Sequence, residues 1–281
     1  MTIITDNSTL LQFIPNVVET VEGETPLFNK IRPQLEITEQ WIKDTIIGEQ
    51  FMEDVANGEG SELWTATATA IACDAFRRSV PSLDLILTAN GFGVVSNNNV
   101  APASKERIER LMASLDNQRI KAISTMIGLL AKLSQWLTTD RGHWLTSSFF
   151  TSPDDARLAK AALKNEDGWE AFIELREKAA PIEQAISEKW LGQALTARLR
   201  ATLATDRSGS SDVVTLAKTV RQLVIDEIIS NRRPVKNLDR LVNYIRNNST
   251  LYPEWQSDPV AELFEDKWRF QNKKEAAGYF F

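Results

Sequence analysis

The chain has 281 residues, of which 43% are hydrophobic and 25% charged, and its formal net charge is −6. This length suits one large domain or two of roughly 140 residues each. The acidic balance argues against general nucleic-acid binding, which needs a clustered basic surface to displace counterions. A single cysteine, Cys73, excludes a disulfide within the chain and favours a reducing compartment.

The N-terminal sequence MTIITDNSTLLQFIPN lacks the basic stretch and cleavage site of a secretory signal. No apolar run approaches the roughly 20 residues that a membrane-spanning helix needs. We therefore expect a soluble cytoplasmic polypeptide without a membrane partner.

Residues 1–25 predict an N-terminal arm, with a short apolar patch among polar residues. A first helical unit is predicted over residues 26–165. Within it, apolar spacing predicts one helix that ends near Gly48 and another over 61–78, with Ser61 as its N-cap.

The segment from Pro81 to Leu111 has a different character, because an apolar stretch meets Asn-Gly and then dissolves into an asparagine-rich run. Asn-Gly supplies the positive φ that tight β-turns require, so this segment predicts a short hairpin over 83–95. We expect its residues to contact another molecule: Leu85, Leu87, Asn90, Gly91, Phe92, Gly93, Val94 and Val95.

Apolar residues recur at three- and four-residue spacing over 103–137, which predicts a central helix about 50 Å long. A second helical unit is predicted over 166–250. The remaining residues, 251–281, predict a C-terminal tail whose aromatic rings need a surface to cover. The rings expected to contact a partner are Trp255, Trp268, Phe270, Tyr279, Phe280 and Phe281. The predicted fold class is mainly α, a helical bundle with one hairpin.

Two stretches of the chain match at a constant offset of 144 positions, which predicts a degenerate duplication of a helical unit. The alternative is that two amphipathic helices ending in glycine resemble each other because the same physics shaped both. A repeat this long would give two related units and not a solenoid. The identical pairs are Phe28/Phe172, Arg32/Arg176, Glu39/Glu183, Gln40/Gln184, Ile42/Ile186 and Gly48/Gly192.

No pattern of catalytic residues occurs in the sequence. The only histidine, His143, is seventy positions from Cys73, which is a poor basis for a zinc site. Asp154 and Asp155 suit the first turn of a helix better than a metal site. Gly91 and Gly93 are not followed directly by a helix, as a phosphate-binding loop would require. We therefore expect no enzyme activity, no cofactor and no metal.

A two-stranded hairpin is marginal alone and needs a third strand or a packing surface. In a helical chain, the third strand could come from another subunit by edge-strand addition. The alternative, that the hairpin folds back over its own helices, carries nearly equal weight.

Around this hairpin the chain resembles an uncharacterised protein family encoded in phages and prophages of gut anaerobes. The likeness is best over Pro81–Leu115, continues weakly through the long helix, and includes Tyr252–Phe281. The resemblance implies a virion protein, a head–tail connector or adaptor, located in the bacterial host cytoplasm during assembly and then in the virion. It defines no catalytic residues.

A connector of this kind would form a homo-oligomeric ring through heterologous contacts and bind portal and tail proteins. Its acidic charge would let DNA pass through the lumen as cargo without adhering. The alternative function is a soluble assembly chaperone or tail-completion protein, absent from the finished particle.

Overall fold

The computed structural model describes residues 2–14, 25–83, 85–88, 91–94 and 104–265, and these are mainly helical. The first half contains α1 (Asn7–Phe13), α2 (Leu27–Ile42), α3 (Glu49–Asn57), α4 (Glu62–Leu83), α5 (Lys105–Leu130), α6 (Ser134–Leu137) and α7 (Asp140–Thr146). The second half contains α8 (Gly168–Ile186), α9 (Gln193–Thr205), α10 (Asp212–Ser230), α11 (Val235–Asn247), α12 (Pro253–Gln256) and α13 (Pro259–Glu262). Two short 3-10 helices cover Pro153–Ala162 and Ser249–Leu251.

The pair α4 and α5 has the most extensive contact between helices in the described chain. α4 buries small side chains such as Ala66, Thr67 and Ala70, which allow another helix to approach closely, and α5 buries larger ones such as Ile123 and Met126. α2 packs on α4, and the 3-10 helix Pro153–Ala162 packs on α8 and α10. Buried residues of both halves form one continuous hydrophobic core.

A widened helical turn that ends at a glycine occurs once in each half. α2 continues as a π-helical turn over Lys43–Ile47, and α8 continues in the same way over Ser187–Leu191. The amides of Gly48 and Gly192 close these turns on the residue five positions earlier, each at 2.8 Å. Both glycines have positive φ, 91° and 75°, which residues with a side chain rarely adopt.

A tryptophan satisfies one backbone carbonyl of each widened turn. The indole N–H of Trp136, in α6, donates to the carbonyl of Ile46 at 3.0 Å. The indole N–H of Trp255, in α12, donates to the carbonyl of Trp190 at 2.8 Å. A buried indole N–H needs such a partner, and Ile46 and Trp190 are themselves 144 positions apart.

Two more hydrogen-bond contacts occur in both halves, one near the first residues of each half and one at the start of a helix. The backbone N–H of Ile3 donates to Glu39 at 3.2 Å, and that of Phe149 donates to Glu183 at 3.1 Å. Likewise, Ser61 and Ser211 accept from backbone amides at the starts of α4 and α10.

The elements therefore correspond in order. We call residues 3–146 the first unit and residues 149–264 the second unit; α8 to α13 match α2 to α7, and the 3-10 helix Pro153–Ala162 matches α1. The domain boundaries predicted at 25/26, 165/166 and 250/251 stay predictions, because the described core is continuous across both units.

The units differ in what joins their third and fourth main helices. Only the four residues Asn231–Pro234 separate α10 from α11, whereas residues 84–104 separate α4 from α5. Between α4 and α5 lie strands β1 (Leu85–Thr88) and β2 (Gly91–Val94), which pair antiparallel with Leu85 opposite Val94 and Thr88 opposite Gly91. α5 has 26 residues against 13 for α11.

Three predictions about elements are corrected. The hairpin is not supported over its predicted extent of 83–95, because Leu83 is the last residue of α4 and each strand has only four residues. The central helix predicted over 103–137 ends at Leu130, where the chain turns and α6 begins at Ser134. The predicted tail contains α12 and α13 within its described part.

Candidate functional site

The two units meet where Arg176 of α8 holds the end of the first unit. Its guanidinium donates to the carbonyls of Leu145 at 3.0 Å and Phe150 at 2.8 Å, and also to the carbonyl of Trp144. The same group lies over the Trp144 ring, 4.6 Å from its centroid, and over the Phe172 ring at 5.5 Å. Planar guanidinium donors suit several carbonyls and a ring at once. Burial lowers the pKa of Arg176 to about 10, so the group remains a cation at neutral pH.

Glu183 completes this contact about two turns further along α8. Its carboxylate accepts from the hydroxyl of Ser148 at 2.6 Å and the backbone N–H of Phe149 at 3.1 Å, and it pairs with Arg200 at 2.8 Å. Phe149 is fully buried, and Arg200 lies over its ring. We call the contact of Phe172, Arg176 and Glu183 with residues 144–150 the internal joint. Arg176 fixes Trp144 and Leu145 of the first unit to the second unit through charge-assisted hydrogen bonds, whereas Glu183 binds Ser148 and Phe149 where the second unit begins.

A second polar cluster lies where α4 and α5 leave the core. The buried carboxylate of Asp74 accepts from Arg119, Arg77 and Arg78, at distances between 2.6 and 3.2 Å. Arg119 also binds Asp167, the N-cap of α8, at 2.9 Å. The cluster thus ties both helices to the second unit.

Beyond this cluster, α4 and α5 carry the two strands. We call the described residues of 78–114 the arm, which is distinct from the N-terminal arm predicted over residues 1–25. From Lys105 to Ser114 no α5 side chain is buried, and only Ile108, Leu111 and Met112 are half-buried. The principal contacts of β1 and β2 are with each other, and in the described chain they form a sheet of two strands. The arm therefore carries a small sheet on helices that have left the core.

Cys73 and Asp155, two groups with possible catalytic chemistry, are both buried. Cys73 is buried, and burial raises the pKa of its thiol to about 12, so the nucleophilic thiolate is not formed near neutral pH. Asp155 is buried and is paired with Arg207 and Arg221. Within the described ranges, no group of three His, Cys, Asp or Glu side chains could hold a metal ion.

The predicted contact residues divide into three groups. Leu85, Leu87, Phe92, Gly93 and Val94 lie in the paired strands of the arm, with Gly91. Trp255 is 3% exposed and binds Trp190, so it holds the second unit together and offers a partner no surface. The others lie outside the described residues: Asn90, Val95, Trp268, Phe270, Tyr279, Phe280 and Phe281.

The internal joint was not predicted as a site, although the sequence contained its signal. Phe172, Arg176 and Glu183 are among the identical residues at the 144-position offset. An exact match of charged residues in an otherwise degenerate pair of helices is a signal beyond amphipathic spacing, which helix periodicity alone does not require.

Among the described helices, none has a stretch long and apolar enough to cross a lipid bilayer. Residues 14–144 match the model of a family of unknown function, DUF6712. No curated protein and no solved structure matches the chain. The family match covers less than half of the chain, and its end at residue 144 falls within α7, the last helix of the first unit.

Proposed function

We propose that this chain is a structural, non-enzymatic subunit of a phage or prophage particle. It acts as a head–tail connector that forms a homo-oligomeric ring and binds the portal protein on one side and tail proteins on the other. The subunit assembles in the host cytoplasm and stays in the virion.

The observation that carries this proposal is the arm. Two strands of four residues bury too little surface to be stable alone in water and need a further strand or a packing surface. Their principal contacts in the described chain are with each other. A neighbouring subunit or the portal supplies that surface in the proposed ring, by adding a strand at an open edge or by packing on the pair.

Two further observations support the proposal. The likeness of Pro81–Leu115 to a phage and prophage family covers the same arm, which links the virion assignment to the part of the chain available for contact. A formal charge of −6 suits a ring through which DNA passes as cargo, because like charges disfavour adhesion.

Mass spectrometry of purified particles, combined with negative-stain microscopy, tests the proposal. A connector is present at the copy number of a ring, and antibody against the chain labels the junction of head and tail. Absence from finished particles that nevertheless require the gene for assembly would overturn it. That result would establish the alternative, a soluble assembly chaperone or tail-completion protein.

A further inference from the structure

The internal joint has a partly filled counterpart on the first unit: Glu39 already accepts from the backbone N–H of Ile3, as Glu183 does from Phe149, whereas within the described chain Arg32 contacts no segment like 144–145. At the 144-position offset, Phe172, Arg176 and Glu183 correspond to Phe28, Arg32 and Glu39, which are the same residue types. Arg176 is 8% exposed because it binds the end of the first unit. The Arg32 side chain is 65% exposed and pairs only one turn along its own helix, with Glu36.

An open groove of the first unit is lined by Glu36, the ion-pair partner of Arg32, and by Glu39. Its volume is about 590 Å³, and its lining comes from the N-terminal segment, α2 and α3: Thr2, Glu36, Glu39, Gln40, Lys43, Glu49, Gln50, Met52 and Glu53. In the second unit, the helix that matches α3 is α9, and α7 of the first unit contacts it. The groove on the first unit therefore corresponds to the part of the second unit that α7 of the first unit contacts.

The end of the second unit corresponds to the end of the first unit, which Arg176 binds. Trp144 and Leu145 follow Trp136 at the same spacing by which Leu263 and Phe264 follow Trp255. α7 and α13 each begin four residues after that tryptophan, and each contacts the widened turn of its own unit. Leu263 is 69% exposed, more than any other large hydrophobic side chain in the described residues.

We propose that Pro259–Phe264 of one copy of this chain docks on the face formed by Phe28, Arg32 and Glu39 of the next copy. Arg32 leaves Glu36 and donates to the carbonyls at the end of the neighbour's second unit, as Arg176 does within the chain. Leu263 occupies the position that the ring of Trp144 has over Arg176. The contact repeats the internal joint between molecules.

Such a joint is heterologous, because each copy offers one end and receives another. Repetition therefore closes into a ring or continues as a filament, according to the rotation between copies. The inference deepens the proposed function, since it names the surface through which the proposed ring forms.

Two single variants on opposite sides of the joint test it, R32E and L263D. Both side chains are exposed, so each variant is expected to unfold at the temperature of the wild-type chain. Light scattering coupled to size exclusion, over a range of concentrations, measures self-association. We expect each variant to weaken it by at least about tenfold, since each places an unfavourable charge at the joint. I229D is the matched control, because Ile229 is an exposed hydrophobic residue away from the joint.

Mixing the two variants tests the polarity of the joint. R32E retains an intact Leu263 end and L263D an intact Arg32 face, so an equimolar mixture forms dimers and nothing larger. Self-association that survives both substitutions would refute this joint and leave a ring formed through the arm. A wild-type chain that stays monomeric would also refute it, while the composition of purified particles decides the connector function separately.

Discussion

Asp74 and Arg119 form an ion pair inside the protein, with 3.2 Å between carboxylate oxygen and guanidinium nitrogen and side chains 1% and 3% exposed. Counted from the helix caps Ser61 and Ser211, Asp74 corresponds to Val224 of α10. Counted back from Trp136 and Trp255, Arg119 corresponds to Leu238 of α11, and both apolar residues are buried. The same site in the repeated arrangement thus accepts either a charge pair or two apolar side chains. The charged version occurs where the arm begins and where Asp167 joins the second unit.

Removing one partner of this pair should destabilise the chain strongly. Asp74→Ala leaves the Arg119 charge without its most buried partner, and we expect a loss of about 3 to 5 kcal/mol in unfolding free energy. The double variant Asp74→Val with Arg119→Leu copies the second unit and should recover most of that loss. Urea denaturation measures both. A double variant no more stable than Asp74→Ala would contradict the correspondence of the two sites.

The widened turns should respond unequally to alanine. Gly48→Ala introduces only backbone strain, because Gly48 has φ 91° and ψ 151° and the nearest atom to a new Cβ is 3.7 Å away; we expect a loss of about 1 to 3 kcal/mol. Gly192→Ala should cost more, because its Cβ would lie 2.3 Å from the carboxylate of Asp258, the N-cap of α13. In an Asp258→Ala background the cost at Gly192 should fall but stay above that at Gly48, because the Cβ that alanine keeps at position 258 lies 3.0 Å from the new Cβ; a double-mutant cycle would show this.

Acid should weaken the contact of Asp167 with α5. Burial alone raises the pKa of Asp167, but attraction to Arg119 and Arg77 outweighs it and places the pKa below its ordinary value of 3.8. As pH falls, the unfolded chain therefore binds this proton at a higher pH than the folded chain does. The stabilisation is complete above the unfolded pKa and is lost as pH falls through the folded pKa. The stability difference between wild type and Asp167→Asn should shrink below about pH 4. A difference independent of pH would contradict the assignment.

The arm should be dispensable for folding and required for assembly. Residues 80–113 can be replaced by the sequence Asn-Arg-Arg-Pro, which joins α10 to α11 in the second unit. We expect a helical chain that unfolds cooperatively, because none of the side chains described at 80–83 and 104–113 is buried. Circular dichroism checks the fold, and complementation of a phage lacking the gene checks assembly. Normal particles from the shortened chain would exclude the arm from the proposed contact.

Much of the helical organisation followed from local sequence. Apolar spacing indicated α4 and α5, because a helix that buries one face must repeat its apolar residues at that period. The end of α5 was missed, since Leu133 and Leu137 continue the same period after the chain has turned at Leu130. Local periodicity does not reveal such a break when the next helix also packs on the core.

The sequence by itself determined that this chain is mainly helical and that Phe28, Arg32 and Glu39 recur as Phe172, Arg176 and Glu183. Only the tertiary structure decided that Arg176 is buried in a joint while Arg32 is exposed, and that Trp255 supports the core. Identical side chains have identical local preferences, but their burial depends on which distant segment reaches them. Residues 144–150 reach Arg176, and within the described chain Arg32 stays exposed and pairs with Glu36 of its own helix.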